Sequence, residues 1–362
     1  MILNIKILSM QRVNNYGSFL QAYGLKTFLE ELGHTVSFLD IAPGKRSGEY
    51  REKGTVKKDH KRTYDTYAIK RLVYKKRAEK KNEMLDLERE KILGIGKEID
   101  YSTEGCDAVI IGSDEVFNYN PANSWGISFQ LFGDINVPIV ASYAASCGYS
   151  CIQDVHPKDF KRIGNAFRSM KGISVRDENT LNFVMDISGI QAKFHLDPVL
   201  LYPFDKEVPA SPVLHNPYMI VYGYKNRFKD KKEIRAIKEY ARKNGLKIIA
   251  LGDSQYWTDD FLIPKPFELL SLFQWASCVV TDTFHGAVIS AKYHKRFAVF
   301  IRPSNENKLE DLLHCLGLNT LKIHNPNELS EVLSSAPDFR KTDAMIHRNR
   351  ILAKEYFEKV LS

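Results

Sequence analysis

The sequence has no long hydrophobic run, few cysteines, and no charge excess outside one stretch of its 362 residues. Its longest uncharged apolar runs, such as residues 218–224, fall far short of the ~18–20 residues that cross a bilayer. The apolar start is broken by Asn4 and Lys6, and no small-residue cleavage pattern follows, so no secretory signal is read there. Five cysteines (Cys106, Cys147, Cys151, Cys278 and Cys315) cannot all pair, and none forms C-x-x-C. That argues against a zinc ribbon or a thioredoxin-type redox pair and for reduced structural thiols. H-E-x-x-H, the P-loop, G-x-S-x-G and the paired aspartates D-x-D are also missing. Together these lacks predict a soluble cytoplasmic protein that uses neither a metal nor a bound cofactor.

The net charge of +8 is local. Residues 45–98 hold 18 Lys and Arg against 10 Asp and Glu, which leaves the rest of the chain neutral on balance. Residues 66–90 within that stretch have helical spacing, with Ile69, Leu72, Val73, Met84, Leu85 and Leu87 set among charges. One reading is a solvated helical excursion; another is a basic surface facing anionic lipid headgroups or a lipid-linked phosphate, a peripheral contact at the inner face of the cytoplasmic membrane. No RNP, KH or zinc-finger pattern accompanies the basic residues, so nucleic acid is not expected as a partner.

Short apolar runs alternate with amphipathic ones along the whole chain. Strands are expected at residues 2–8, 36–39, 108–111, 139–144, 173–175 and 193–196, and again at 218–222, 247–251, 278–281 and 297–301. Helices are expected between them, including 18–32, where Gly33 occupies the C′ position, and 287–293. Such alternation demands parallel sheets, twice over. The expected domains are residues 1–200, with the basic helical insertion at 45–98, and residues 201–340, with a closing helix at 341–362. The Pro-containing stretch 198–217 reads as the linker.

Open parallel sheets bind ligands beyond the carboxyl ends of their strands, so the polar residues there are the candidates. Asn15, Gly17 and Ser18 precede or open the first helix, where amides and helix dipole favour an anion. Ser113 and Asp114 follow one strand directly, and Ser146 follows another. Arg176 ends a third, where a permanently charged fork suits a carboxylate or phosphate. His285 stands at a strand-to-helix turn beside Gly286, able to exchange a proton near neutral pH. Asp282, the nearest carboxylate in sequence, is the expected partner of its ring.

Six short motifs in register resemble the polysaccharide pyruvyl transferase family. They are Asn15-Tyr16-Gly17-Ser18 with Leu20-Gln21-Ala22-Tyr23; Ile111-Gly112-Ser113-Asp114 with Val116-Phe117-Asn118; Ala144-Ala145-Ser146-x-Gly148; Val175-Arg176-Asp177; Leu196-Asp197-Pro198-x-Leu200-Leu201; and Thr281-Asp282-Thr283-Phe284-His285-Gly286. The resemblance implies an α/β fold of two Rossmann-like domains facing across a cleft, similar to GT-B glycosyltransferases. It implies phosphoenolpyruvate as donor and a sugar of a surface polysaccharide, or a lipid-linked precursor, as acceptor, joined as a cyclic pyruvate ketal. By analogy His285 is the catalytic acid and Arg176 holds the donor's anionic groups, with Asn15, Gly17, Ser18, Ser113, Asp114, Ser146 and Thr283 binding the donor. Many members carry Arg where this chain has Thr283; Arg12, Lys225, Arg227 and Arg302 are the candidates to supply that charge. Two alternatives share these features: a GT-B glycosyltransferase with a nucleotide-sugar donor, and a non-catalytic protein binding carbohydrate or lipid phosphate through the basic stretch.

Overall fold

A computed structural model describes residues 1–45, 68–225 and 227–362. The rest of the basic stretch, residues 46–67, lies outside the described residues.

The first half runs β1 (Asn4–Leu8), α1 (Tyr16–Glu31), β2 (Thr35–Leu39), α2 (Ala68–Glu88), β3 (Ala108–Asp114), β4 (Ile139–Ala145), α3 (Pro157–Ser169), β5 (Ser174–Val175), α4 (Glu178–Ser188), β6 (Lys193–Phe194) and α5 (Pro198–Leu201). Its six strands form a parallel sheet in the order β2-β1-β3-β4-β5-β6. Val109, Ile110 and Ile111 of β3 are all fully buried, which is why this central strand is a continuous apolar run rather than an alternating one.

The second half runs β7 (Tyr218–Gly223), α6 (Lys231–Lys243), β8 (Lys247–Gly252), β9 (Asp260–Phe261), α7 (Pro266–Trp275), β10 (Cys278–Thr281), α8 (Phe284–Lys292), β11 (Phe297–Phe300), α9 (Glu306–Leu316), β12 (Lys322–Ile323), α10 (Leu329–Ser334) and α11 (Arg340–Val360). Its sheet is also parallel, in the order β12-β11-β10-β7-β8-β9. Strand order reverses beside β1 in the first sheet and beside β7 in the second, and in such sheets the crevice at that switch point is where ligands bind.

Two helices start earlier than the apolar pattern suggests, and both differences bear on the site. The Asn15 carboxamide accepts from the Ser18 amide, so α1 begins at Tyr16 and Gly17 and Ser18 lie in its first turn. The Thr283 hydroxyl accepts from the Gly286 amide, so α8 begins at Phe284 and His285 lies inside it rather than ahead of it. The expected linker is not wholly irregular, because Asp197 caps the short helix α5 within it.

One apolar cluster runs through both halves. Phe19 and Tyr23 of α1 meet Phe267 of α7 edge-on, and the buried Tyr16 hydroxyl donates to the Pro264 carbonyl at 2.8 Å. Helix α11 then crosses back to the first sheet. Its Phe357 ring stacks on Tyr143 at 4.9 Å between centroids, and the Tyr356 hydroxyl donates to the Ser142 carbonyl.

Helix α2 is not a free excursion. Tyr74 is buried against Phe261, Arg77 pairs with Asp260 at 2.6 Å, and Lys70 donates to the Thr258 carbonyl. One face of an inserted helix of the first half is therefore bound to the second half. Ile69, Leu72 and Val73 on its other side stay exposed, as do Lys75, Lys76 and Lys80.

Candidate active site

The two switch points face each other across a cleft of about 230 Å3. Its walls come from the loop after β1 (Asn14, Asn15), the end of β7 (Tyr222, Tyr224) and the start of α8 (Thr283, His285). Helix α1 points its first turn here and carries no acidic residue in that turn, which suits an anion.

His285 packs flat against Gly17. A Cβ at position 17 would overlap the imidazole, so the glycine is what allows the ring to sit there. Nε2 lies 3.6 Å from the Asp197 carboxylate and has no hydrogen-bond partner. Asp197 comes from the first half, just beyond β6, and its side chain is fully buried. The carboxylate that faces the ring is thus not Asp282. Asp282 is held by Arg227 at 2.9 Å and Arg302 at 3.2 Å. The expectation from sequence proximity fails because two guanidiniums outcompete one imidazole for that carboxylate.

Arg176 lies one layer behind the cleft, its side chain 2% exposed. Nη1 donates to Asp197 at 2.6 Å, Nη2 to Asp114 at 3.1 Å, and the guanidinium stacks on the Phe284 ring, 4.2 Å from its centre. Asp114 also accepts from the Ser18 hydroxyl at 2.8 Å. Ser113 donates to the Ala144 carbonyl and lies 3.3 Å from both Arg176 and Asp197. One cation and two carboxylates sum to −1.

Burial alone would raise the Asp197 pKa. The opposing pull of His285 and Arg176 wins and holds it at about 2. Asp114 is treated the same way: burial raises it, Arg176 and His285 lower it further, and the net is downward. Both carboxylates are therefore ionised at neutral pH. The Arg176 pKa rises, its burial outweighed by the same two partners.

The structure brings together Asn15, Gly17, Ser18, Ser113, Asp114, Arg176, Thr283 and His285. It leaves Ser146 apart: that hydroxyl accepts from the Gly148 amide and closes the turn after β4. None of the four suggested cations lines the cleft. Arg12 pairs with Asp40, Arg227 and Arg302 with Asp282, and Lys225 is exposed. Sequence reasoning missed Asp197 as a site residue, although its place at a strand end before Pro198 was a signal. It also missed Lys81 and Asp253, which line the cleft from α2 and the end of β8. Among the described residues no cluster of three His, Cys, Asp or Glu has the geometry to hold a metal.

Residues 15–305 match the model of the polysaccharide pyruvyl transferase family. The chain belongs to this enzyme family. No curated protein matches it in sequence. Solved structures share its fold at low identity. UDP-GlcNAc 2-epimerase of Methanocaldococcus jannaschii aligns with TM-score 0.53 and 12% identity over 99% of this chain and 100% of that one. The Neisseria meningitidis UDP-GlcNAc 2-epimerase, bound to UDP-GlcNAc, gives 0.52 and 10% over 98% and 99%. The S. aureus MnaA–UDP structure gives 0.50 and 11% over 99% and 98%. These likenesses establish the two-domain, GT-B-like architecture.

Proposed function

We propose that the protein transfers the pyruvyl group of phosphoenolpyruvate to a sugar of a surface polysaccharide or its precursor, forming a cyclic ketal and releasing phosphate. The observation that carries this reading is His285 of the second half at the wall of a small cleft, its imidazole 3.6 Å from Asp197, which Arg176 of the first half holds from behind. About 230 Å3 is below the ~300–1,000 Å3 of sites for drug-sized ligands, which favours a three-carbon donor over a nucleotide sugar.

Phosphoenolpyruvate becomes electrophilic at C2 once its methylene carbon is protonated. His285 is the proposed proton donor, its ring seated on Gly17 and facing the Asp197 carboxylate at 3.6 Å. One sugar hydroxyl attacks C2, the C2–O bond to phosphate breaks, and the second hydroxyl closes the ketal. Of the two hydroxyl protons, one replaces the proton given to the methylene carbon and the other leaves on phosphate. The start of α1, at Asn15 and Tyr16, faces the donor's anionic groups with Thr283 opposite, while Gly17 seats the imidazole and Ser18 holds Asp114. Arg176 acts here through Asp114 and Asp197, which it holds ionised and in place, while the Ser113 hydroxyl lies beside Arg176 and Asp197.

The reading includes an acceptor presented at the inner face of the membrane. Support comes from the outer side of α2, where exposed Ile69 and Leu72 stand beside Lys75 and Lys76. No helix among the described residues is long and apolar enough to cross a bilayer. The test is incubation with phosphoenolpyruvate and polysaccharide stripped of its ketals by mild acid. Phosphate release with a mass gain of pyruvate less water is expected. Release of a nucleotide from a sugar nucleotide, with phosphoenolpyruvate untouched, would sink the proposal.

A further inference from the structure

The donor of this reaction is strongly anionic, yet the cations nearest His285 are already committed. Arg176 is divided between two carboxylates behind the cleft. Arg89 donates to the Gln11 carbonyl, Asp86 and the Asn14 carboxamide. Arg227 and Arg302 share Asp282, and Arg302 also grips Glu233. Among the described residues lining the cleft, Lys81 is the only lysine or arginine.

Lys81 arrives from the basic helix α2, and it differs from the other lysines there. Lys75, Lys76 and Lys80 are exposed, whereas Lys81 is 5% exposed. The contacts of Tyr74, Arg77 and Lys70 fix α2 on the second half, and beyond Lys81 the helix end is fixed by Glu88 to Lys265 at 3.0 Å. Its placement is therefore set by the fold. Nζ donates to the Gly252 carbonyl at 2.9 Å and lies 3.5 Å from the Asp253 carboxylate, beyond a good hydrogen bond. An ammonium has three protons to donate, and among the described residues only one is well used. The remaining capacity borders the space between His285, Thr283 and the first turn of α1.

We propose that Lys81 binds the donor, its ammonium contacting an anionic oxygen of phosphoenolpyruvate in the cleft beside His285. The proposal rests on the phosphoenolpyruvate reading above. It gives the basic insertion a role inside the cleft, in addition to any role at its surface, and supplies the charge that Thr283 lacks.

Calorimetric titration of the full chain with phosphoenolpyruvate, without acceptor, tests it. Lys81→Met is expected to weaken binding about 10- to 100-fold, the range for a lost hydrogen bond to a charged group. Lys81→Arg keeps the charge and is expected to stay within a few-fold of wild type. The pair Lys81→Met, Asp253→Asn removes one charge of each sign, so a loss that persists there is not repulsion from an orphaned carboxylate. Lys80→Met, its exposed neighbour on the same helix, is expected to leave affinity unchanged. Wild-type affinity in Lys81→Met, recovery in the paired variant, or an equal loss in Lys80→Met would each overturn the role of Lys81 while the reaction assignment stands. Absence of binding by the wild-type chain would overturn both.

Discussion

At the scale of single residues, the site is a problem in charge burial. Two carboxylates and a guanidinium are withdrawn from water together, and each depends on the others. Removing one partner of a buried pair typically costs about 3–5 kcal/mol, because the remaining charge is stranded. Arg176→Ala strands both Asp114 and Asp197, so urea unfolding is expected to show a loss in that range. Lys at 176 is expected to recover only part, since a point charge cannot bridge two carboxylates as the fork does. Asp197 also makes stability depend on pH. Its folded pKa of about 2 lies below the ordinary ~3.9, so its contribution is present above pH 4 and is lost as pH falls towards 2. Wild-type unfolding free energy is expected to drop more steeply between pH 5 and pH 2.5 than that of Asp197→Asn, which starts lower; parallel slopes would contradict the assigned shift.

Gly17 separates packing from chemistry. Alanine there would place its methyl onto the imidazole, and in the first turn it gains little as a helix former. Gly17→Ala is expected to lose roughly 10²-fold in rate, the cost of a displaced catalytic group, with only a modest drop in melting temperature. Thermal melts and initial rates on the same preparation check both halves of that statement. The residue scale also shows where the sequence misleads. Asp282 is three positions from His285 but belongs to Arg227 and Arg302; Asp197 is distant in the chain but opposite the ring. Strand-end position was readable, since parallel strands deliver their carboxyl ends to one edge. Which carboxylate crosses to the other domain was not, because no spacing rule links the two sheets.

At the scale of elements, helix α2 carries two faces with different tasks. Its inner face is bound by Tyr74, Arg77 and Lys81. Its outer face keeps exposed Ile69 and Leu72 with lysines beside them. The helical period of this stretch was legible, and so was its charge. The inward turn of Lys81 was not, because a helix so rich in lysine gives no contrast from which to choose a buried one. Vesicles that contain anionic lipid are expected to sediment the protein at low salt and to release it as salt rises, as screening requires. Reversing Lys75, Lys76 and Lys80 to Glu is expected to abolish sedimentation with turnover of a soluble acceptor intact. Equal binding to neutral vesicles would remove the membrane role.

At the scale of the whole molecule, the two halves are joined more firmly than a simple hinge implies. Phe19, Tyr23 and Phe267 make a continuous apolar contact, α11 returns to the first sheet, and Lys308 reaches across to Glu115. A large apolar interface restrains relative domain motion. The site is thus preassembled, with the imidazole contributed by one half and its carboxylate by the other. Both parallel sheets were legible from the alternation of apolar runs. Their opposition, and the return of α11, rest on tertiary contacts among side chains that no local pattern reveals.

The central claim is proton delivery from His285 to the methylene carbon of phosphoenolpyruvate, and solvent isotope incorporation measures it. Turnover in D2O with ketal-stripped polysaccharide should place one deuterium on the ketal methyl group and release phosphate. His285→Asn should slow both by ~10²–10⁴-fold with the fold retained. A His285→Asn enzyme that labels the methyl group and releases phosphate at the wild-type rate would contradict the account.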